Sequence, residues 1–88
     1  MLHHEIKERI ESGIPLAECF VNEFSGGTDH YAVIVVAPSF EGKSLLTRHR
    51  TIMDLFKAEM ATGEVHALTI KAFTQTQWEN EKPNFIKK

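Results

Sequence analysis

The sequence predicts an α+β domain with the element order α-β-β-α-β-α and a mixed three-stranded sheet. Three features predict it: apolar residues at helical spacing near the start and in the middle of the chain, two β-rich stretches joined by a glycine turn, and a strand of period two after the central helical region. A strand that returns after a helix crosses over right-handedly and lies parallel to the strand before it. The antiparallel hairpin therefore gains a parallel third strand.

Leu2, Ile6 and Ile10 recur every four residues among charged neighbours, which makes a short amphipathic helix. Gly13 gives it a C-cap and Pro15 a stop. Residues 16–24, LAECFVNEF, are rich in β-formers, and SGGTD turns the chain back into HYAVIVVA. Tyr31 to Ala37 is apolar at almost every position, as a central strand buried on both faces requires. Pro38 and Ser39 end it.

From Lys43 to Met60, the residues Leu45, Leu46, His49, Ile52, Met53, Phe56 and Met60 fall in a stripe about 100° wide when wound as a helix. Gly63 closes this helix, or helix pair. VHALTIKAF alternates, with His66, Leu68, Ile70 and Ala72 on one face and Val65, Ala67, Thr69, Lys71 and Phe73 on the other. Thr74 and Gln77 form a capping-box pattern for a last helix, which carries Trp78 onto the sheet and which Pro83 ends.

Eighty-eight residues make one domain, 1–88, with room for a single core but no deep enclosed pocket. The net charge of −2 and a pI near 6.2 exclude a protein that coats nucleic acid or an anionic membrane through bulk charge. Cys19 is the only cysteine, so an internal disulfide and a cysteine-built zinc site are both excluded. No apolar run approaches transmembrane length, and the charged start LHHEIKERIESG is unlike a signal or transit peptide. The expectation is a cytoplasmic protein, or an organellar one if its N-terminus has been trimmed, with no membrane partner.

The stretch FEGKSLLTRHR, residues 40–50, concentrates Lys43, Arg48, His49 and Arg50. On the helical stripe His49 faces the core and the two arginines flank it. That is not the exposed polar face of a helix reading base edges. Gly42-Lys43-Ser44 ends like a phosphate loop, but Ala37 stands where the upstream glycine belongs, so nucleotide hydrolysis is not expected. Clustering beside a glycine turn favours a binding surface over a merely solvated face.

His3 and His4 lie near a terminus and carry no role. His66 reads as a strand-end histidine at the edge of the core. His30 sits where the hairpin turn meets the second strand, and the two imidazoles could face one ligand, although two make only part of a metal site. Cys19 reads as a small buried hydrophobe, and Glu18, Glu23 and Asp29 as solvated charges. With no carboxylate pair and no Ser-His-Asp order, the chain is not expected to be an enzyme.

The run HYAVIVVAPSFEGKSLLTRHRTIMDLFKAEM, followed by VHALTIKAFTQTQW, resembles the BolA family over about Asp29 to Glu79. The F-x-G-K turn, the R-H-R helix, the V-H-A-L strand and the T-x-x-x-W ending carry the likeness. The resemblance implies a fold like the class II KH domain, with a helix-turn-helix-like segment around Phe40 to Arg50. It also implies association with a monothiol glutaredoxin and a bridging 2Fe-2S cluster shared with glutaredoxin and glutathione, in iron-sulfur trafficking or iron regulation. His66 matches the family's ligand histidine, and His30 is the one candidate in the first hairpin loop for the second ligand.

On this reading Lys43, Arg48 and Arg50, with His49 between the arginines, belong to a partner-docking surface whose turn is set by Phe40 and Gly42. Imidazole in place of thiolate raises a cluster's potential and makes that ligand sensitive to protonation. A DNA-binding transcriptional regulator is the alternative, by analogy of fold. Against it, Leu45 stands where a KH domain's G-x-x-G clamp has its second glycine. A homodimer is a further state left open.

Overall fold

A computed structural model describes residues 2–23, 30–65 and 67–85. The elements in chain order are α1 (His3–Gly13), β1 (Glu18–Glu23), β2 (His30–Val36), a turn of 3-10 helix (Pro38–Phe40), α2 (Leu45–Asp54), α3 (Lys57–Thr62), β3 (Ala67–Phe73) and α4 (Gln75–Phe85). The sheet order is β1-β2-β3. β1 runs antiparallel to β2, with Cys19 opposite Val35, and β3 runs parallel to β2, with His30 opposite Ala67. The expected mixed three-stranded sheet is the one found.

β2 is central, and its unbroken apolar run fills both faces. Tyr31, Val33 and Val35 point to the main core, where they meet Ile6 and Ile10 of α1, Ile52 of α2, Phe56, and Ile70 and Ala72 of β3. Ile34 and Val36 point the other way, to Trp78 of α4. The Trp78 ring lies 5.4 Å from that of Phe20 and 5.7 Å from that of Phe73, so α4 seals the second face with aromatic contact. Val65, assigned by alternation to that second face, precedes β3 and is buried in the main core instead.

Thr74 and Gln77 form the capping box read from the sequence. Thr74 N–H donates to Gln77 Oε1 at 2.9 Å, and Gln77 N–H donates to Thr74 Oγ1 at 3.2 Å. α4 then continues through Pro83 to Phe85 rather than ending at the proline. Near a helix end proline forfeits one amide hydrogen bond in the final turn, and no following turn has to be aligned.

Gly13 also differs from its expected part. It is the last residue of α1, with Ile14 as the cap, and a Cβ built on it would lie 2.7 Å from Leu55 Cδ2. Close approach to Leu55 is what the missing side chain permits. The left-handed residue of the α1–β1 turn is Leu16, at φ 58° and 86% exposed.

The central helical region is a pair, with its break at Leu55 and Phe56. The break turns the Phe56 ring fully into the core and frees the Leu55 carbonyl. Arg9 of α1 takes up that carbonyl through Nη1 at 3.1 Å and sets its guanidinium 5.3 Å from the Phe56 ring centre. Arg9 Nη1 also stands 2.6 Å from Glu59 Oε1, a close ionic contact out of hydrogen-bond alignment. One side chain thus ties α1 to the junction and to α3.

Candidate functional site

Phe40 and Gly42 build the turn that delivers α2. Phe40 is buried, Lys43 N–H donates to the Phe40 carbonyl at 3.0 Å, and Gly42 takes φ 76°, which only glycine adopts without strain. Ser44 caps the helix, its Oγ accepting from Thr47 N–H at 3.1 Å. Lys43 and Arg50 leave this frame exposed, and so do Leu45 and Leu46.

Arg48 and His49 exchange the places the helical stripe gave them. Arg48 is 6% exposed, whereas His49 lies on the surface. The stripe was drawn as if residues 43–60 were one helix; with the break at Leu55, the inward face of α2 passes through Arg48 and Ile52. The first turn of α2 overhangs the outer edge of β3, so Leu45, Leu46 and His49 have no core beneath them.

Burial of a guanidinium is tolerable only when its donors are satisfied. Arg48 Nε donates to Lys43 O at 3.0 Å, and Nη1 donates to Ala72 O at 3.1 Å and to Gln77 Oε1 at 2.8 Å. Its guanidinium also sits 5.7 Å from the Phe40 ring centre. Arg48 therefore fastens the F-x-G-K turn, β3 and the α4 cap to one another. His49 Nε2 lies 3.2 Å from Ile70 O and so bears the proton there.

Beside this junction runs a shallow groove, its wider part about 370 Å³, lined by Leu45, His49, Ile70, Lys71, Phe73 and Glu81 among others. It offers an apolar floor with charges of both signs at the rim.

The two candidate ligand histidines stand differently. His30 opens β2, and its backbone pairs with Ala67, the first residue of β3; its side chain is outside the described set. His66 lies outside the described residues. Among the described residues no group of three or more His, Cys, Asp or Glu is arranged to hold a metal ion. Cys19 is buried in the main core, and desolvation pushes its thiol up to about 12, so it stays protonated at neutral pH.

One contact escaped the sequence reading. The His3 ring meets the Tyr31 ring edge-on at 5.8 Å, which carries the N-terminus of α1 to the end of the sheet that bears His30. Nothing in the spacing of the sequence signals it, since the contact joins residues far apart in the chain.

Among the described residues no helix is long and apolar enough to cross a membrane. The family model described as BolA-like protein matches residues 3–77. A BolA-like protein of Dictyostelium discoideum is 31% identical over 92 residues, covering 97% of this chain and 81% of the relative. Of solved structures, a bol-like protein from Babesia bovis superposes with TM-score 0.77 at 32% identity, covering 93% of this chain and 94% of that one. The BolA domain of SufE1 from Arabidopsis thaliana superposes with TM-score 0.71 at 37% identity, covering 84% and 92%.

Proposed function

The chain belongs to the BolA-like family, and from that premise we propose that it is a non-enzymatic adaptor that binds a monothiol glutaredoxin and shares with it a bridging 2Fe-2S cluster. The observation that carries the reading is the register at one end of the sheet. His30 is held opposite Ala67, the residue next to His66 in the chain. Two imidazoles leave a cluster half-ligated, and Cys19 is too buried to contribute. The missing thiolates are then the partner's cysteine and glutathione.

The docking surface in this reading is the exposed set Lys43, Leu45, Leu46 and Arg50 at the start of α2, of which Leu45 also lines the groove, while Phe40, Gly42 and Arg48 give it shape from beneath. The duplex-DNA alternative has less support, because Arg48 and His49 spend donors on backbone carbonyls of the protein's own sheet. A place in iron-sulfur trafficking or iron regulation, in the cytoplasm or an organelle, follows from the same proposal.

The test is co-expression with a monothiol glutaredoxin, followed by visible absorption and circular dichroism of the purified pair. A cluster spectrum altered in both His66→Ala and His30→Ala is the expected outcome. A spectrum unchanged in His66→Ala would overturn the ligand assignment, and a colourless pair that still co-purifies would reduce the protein to a docking module.

A further inference from the structure

The two edges of the sheet are closed in different ways. Along an edge strand every second residue points its N–H and C=O outward, where another strand could pair. At the β3 edge, the outward carbonyls of Ile70 and Ala72 are taken by His49 and by the buried Arg48. At the β1 edge the outward residue Cys19 is taken by α1. Its N–H donates to Glu11 Oε2 at 3.0 Å, and its carbonyl accepts from Lys7 Nζ at 2.8 Å.

Lys7 and Glu11 themselves form an ion pair of 2.7 Å, one helical turn apart. Together they give Cys19 the donor and the acceptor that a residue of a neighbouring strand would give. Their side chains are 47% and 31% exposed, unlike the fixed Arg48 on the opposite edge. Water competes for both partners, so this closure can open without unpacking the core.

We propose that the Lys7–Glu11 pair is a plug on the β1 edge, and that the unplugged edge takes β1 of a second copy of this chain, antiparallel and centred on Val21. The strand is self-complementary about that point. Cys19, Val21 and Glu23 share one outward direction, so a two-fold axis at Val21 sets Val21 opposite its twin and Cys19 opposite Glu23 of the other copy. Such an interface uses the same patch on both chains and closes as a dimer, joining the two sheets into one. The proposal does not depend on any glutaredoxin or cluster.

Light scattering over a dilution series of the isolated protein tests it, with the Lys7→Ala/Glu11→Ala double variant beside Ile10→Val. The second variant loosens α1 in the core and leaves the plug in place. The double variant should self-associate at least about tenfold more tightly than either the wild type or Ile10→Val. Its Val21 amide should exchange more slowly as concentration rises, and adding Val21→Pro, which removes the outward N–H at the centre, should abolish association. A double variant that stays folded and monomeric overturns the proposal, and so does association equally strong in Ile10→Val or retained with Val21→Pro. If the proline variant does not fold, Val21 protection in the double variant decides, and protection indifferent to dilution overturns it.

Discussion

Gln77 Oε1 accepts two donors at once, the backbone N–H of Thr74 at 2.9 Å and Nη1 of Arg48 at 2.8 Å. The oxygen that caps α4 is therefore also an anchor of the buried cation of α2. A carbonyl oxygen has two lone pairs, and here one serves a local helix start and the other a contact between distant segments. Loosening either partner loosens the other.

Arg48 should accordingly matter for stability rather than for charge. Arg48→Ala should cost about 3 kcal/mol, since it deletes charge-assisted hydrogen bonds and strands the buried Ala72 carbonyl. Arg48→Lys keeps the charge but cannot reach all three acceptors, and should cost about half as much. Urea denaturation followed by Trp78 fluorescence measures both. A loss within about 0.5 kcal/mol of wild type, as expected for a surface charge, would contradict the assignment.

The same residue marks where the sequence was legible and where it was not. β2 announced its central place because an all-apolar run has no polar face to leave in water, and the Thr74–Gln77 cap was readable because its partners are three residues apart. The phase of α2 was not readable. Hydrophobicity favoured His49 over Arg48 for the interior, and the acceptors that make arginine acceptable there come from β3 and α4, remote in sequence. The BolA resemblance was carried by local motifs and therefore emerged early, whereas the hold of Lys7 and Glu11 on β1 depends on how α1 lies against the sheet.

Two backbone positions should respond with opposite sign. Gly63 caps α3 at φ 85° with open space around it, so Gly63→Ala meets no clash and should lose about 1 kcal/mol from conformation alone. Leu16 holds φ 58° with its side chain in water, so Leu16→Gly relieves a left-handed non-glycine residue and should gain roughly 0.5–1 kcal/mol. Thermal unfolding of the two variants against wild type would show it. Equal signs would mean that one of these turns takes another conformation.

Stability should fall in acid through Glu11 and Glu59. Hydrogen bonding by Lys7 lowers the Glu11 carboxyl, helped by the Cys19 N–H, and the contact with Arg9 lowers Glu59. A carboxyl lowered by folding contributes stability that is fully present above its unfolded value, about 4.5, and is lost as pH falls through the lower folded value. Urea midpoints between pH 6 and pH 3, chosen to span the carboxylate range of about 4, should decline at the acid end. Glu59→Gln should flatten part of that decline; an unchanged pH profile in this variant would remove the Arg9 contact from the account.

Cys19 should be chemically silent while the protein is folded. Its thiol is buried at the start of β1 and held protonated by desolvation, so an alkylating reagent reaches it only when the strand opens. Labelling in the absence of denaturant should be slow and should accelerate in proportion to the opened population as urea is added. Diluted until it is monomeric, the Lys7→Ala/Glu11→Ala variant, whose Cys19 backbone has then lost both side-chain partners, should label faster than wild type. Rapid labelling of the native wild type would mean that the thiol is accessible and would contradict the reading of Cys19 as a buried hydrophobe.

Binding to glutaredoxin, in the proposed function, should separate two kinds of basic residue. Lys43 and Arg50 are exposed and make no structural bond comparable to those of Arg48, so Lys43→Ala/Arg50→Ala should leave the urea midpoint within about 0.5 kcal/mol of wild type. Exposed charges at an interface act through complementarity and are screened by salt. The double variant should therefore weaken the complex by about tenfold at low ionic strength and by much less at high salt. Leu45→Ser, which removes an apolar side chain beside the groove, should weaken it to a similar degree with little salt dependence. If both variants bind like wild type, the partner approaches by another face, and the end of the sheet that carries His30 becomes the surface to map next.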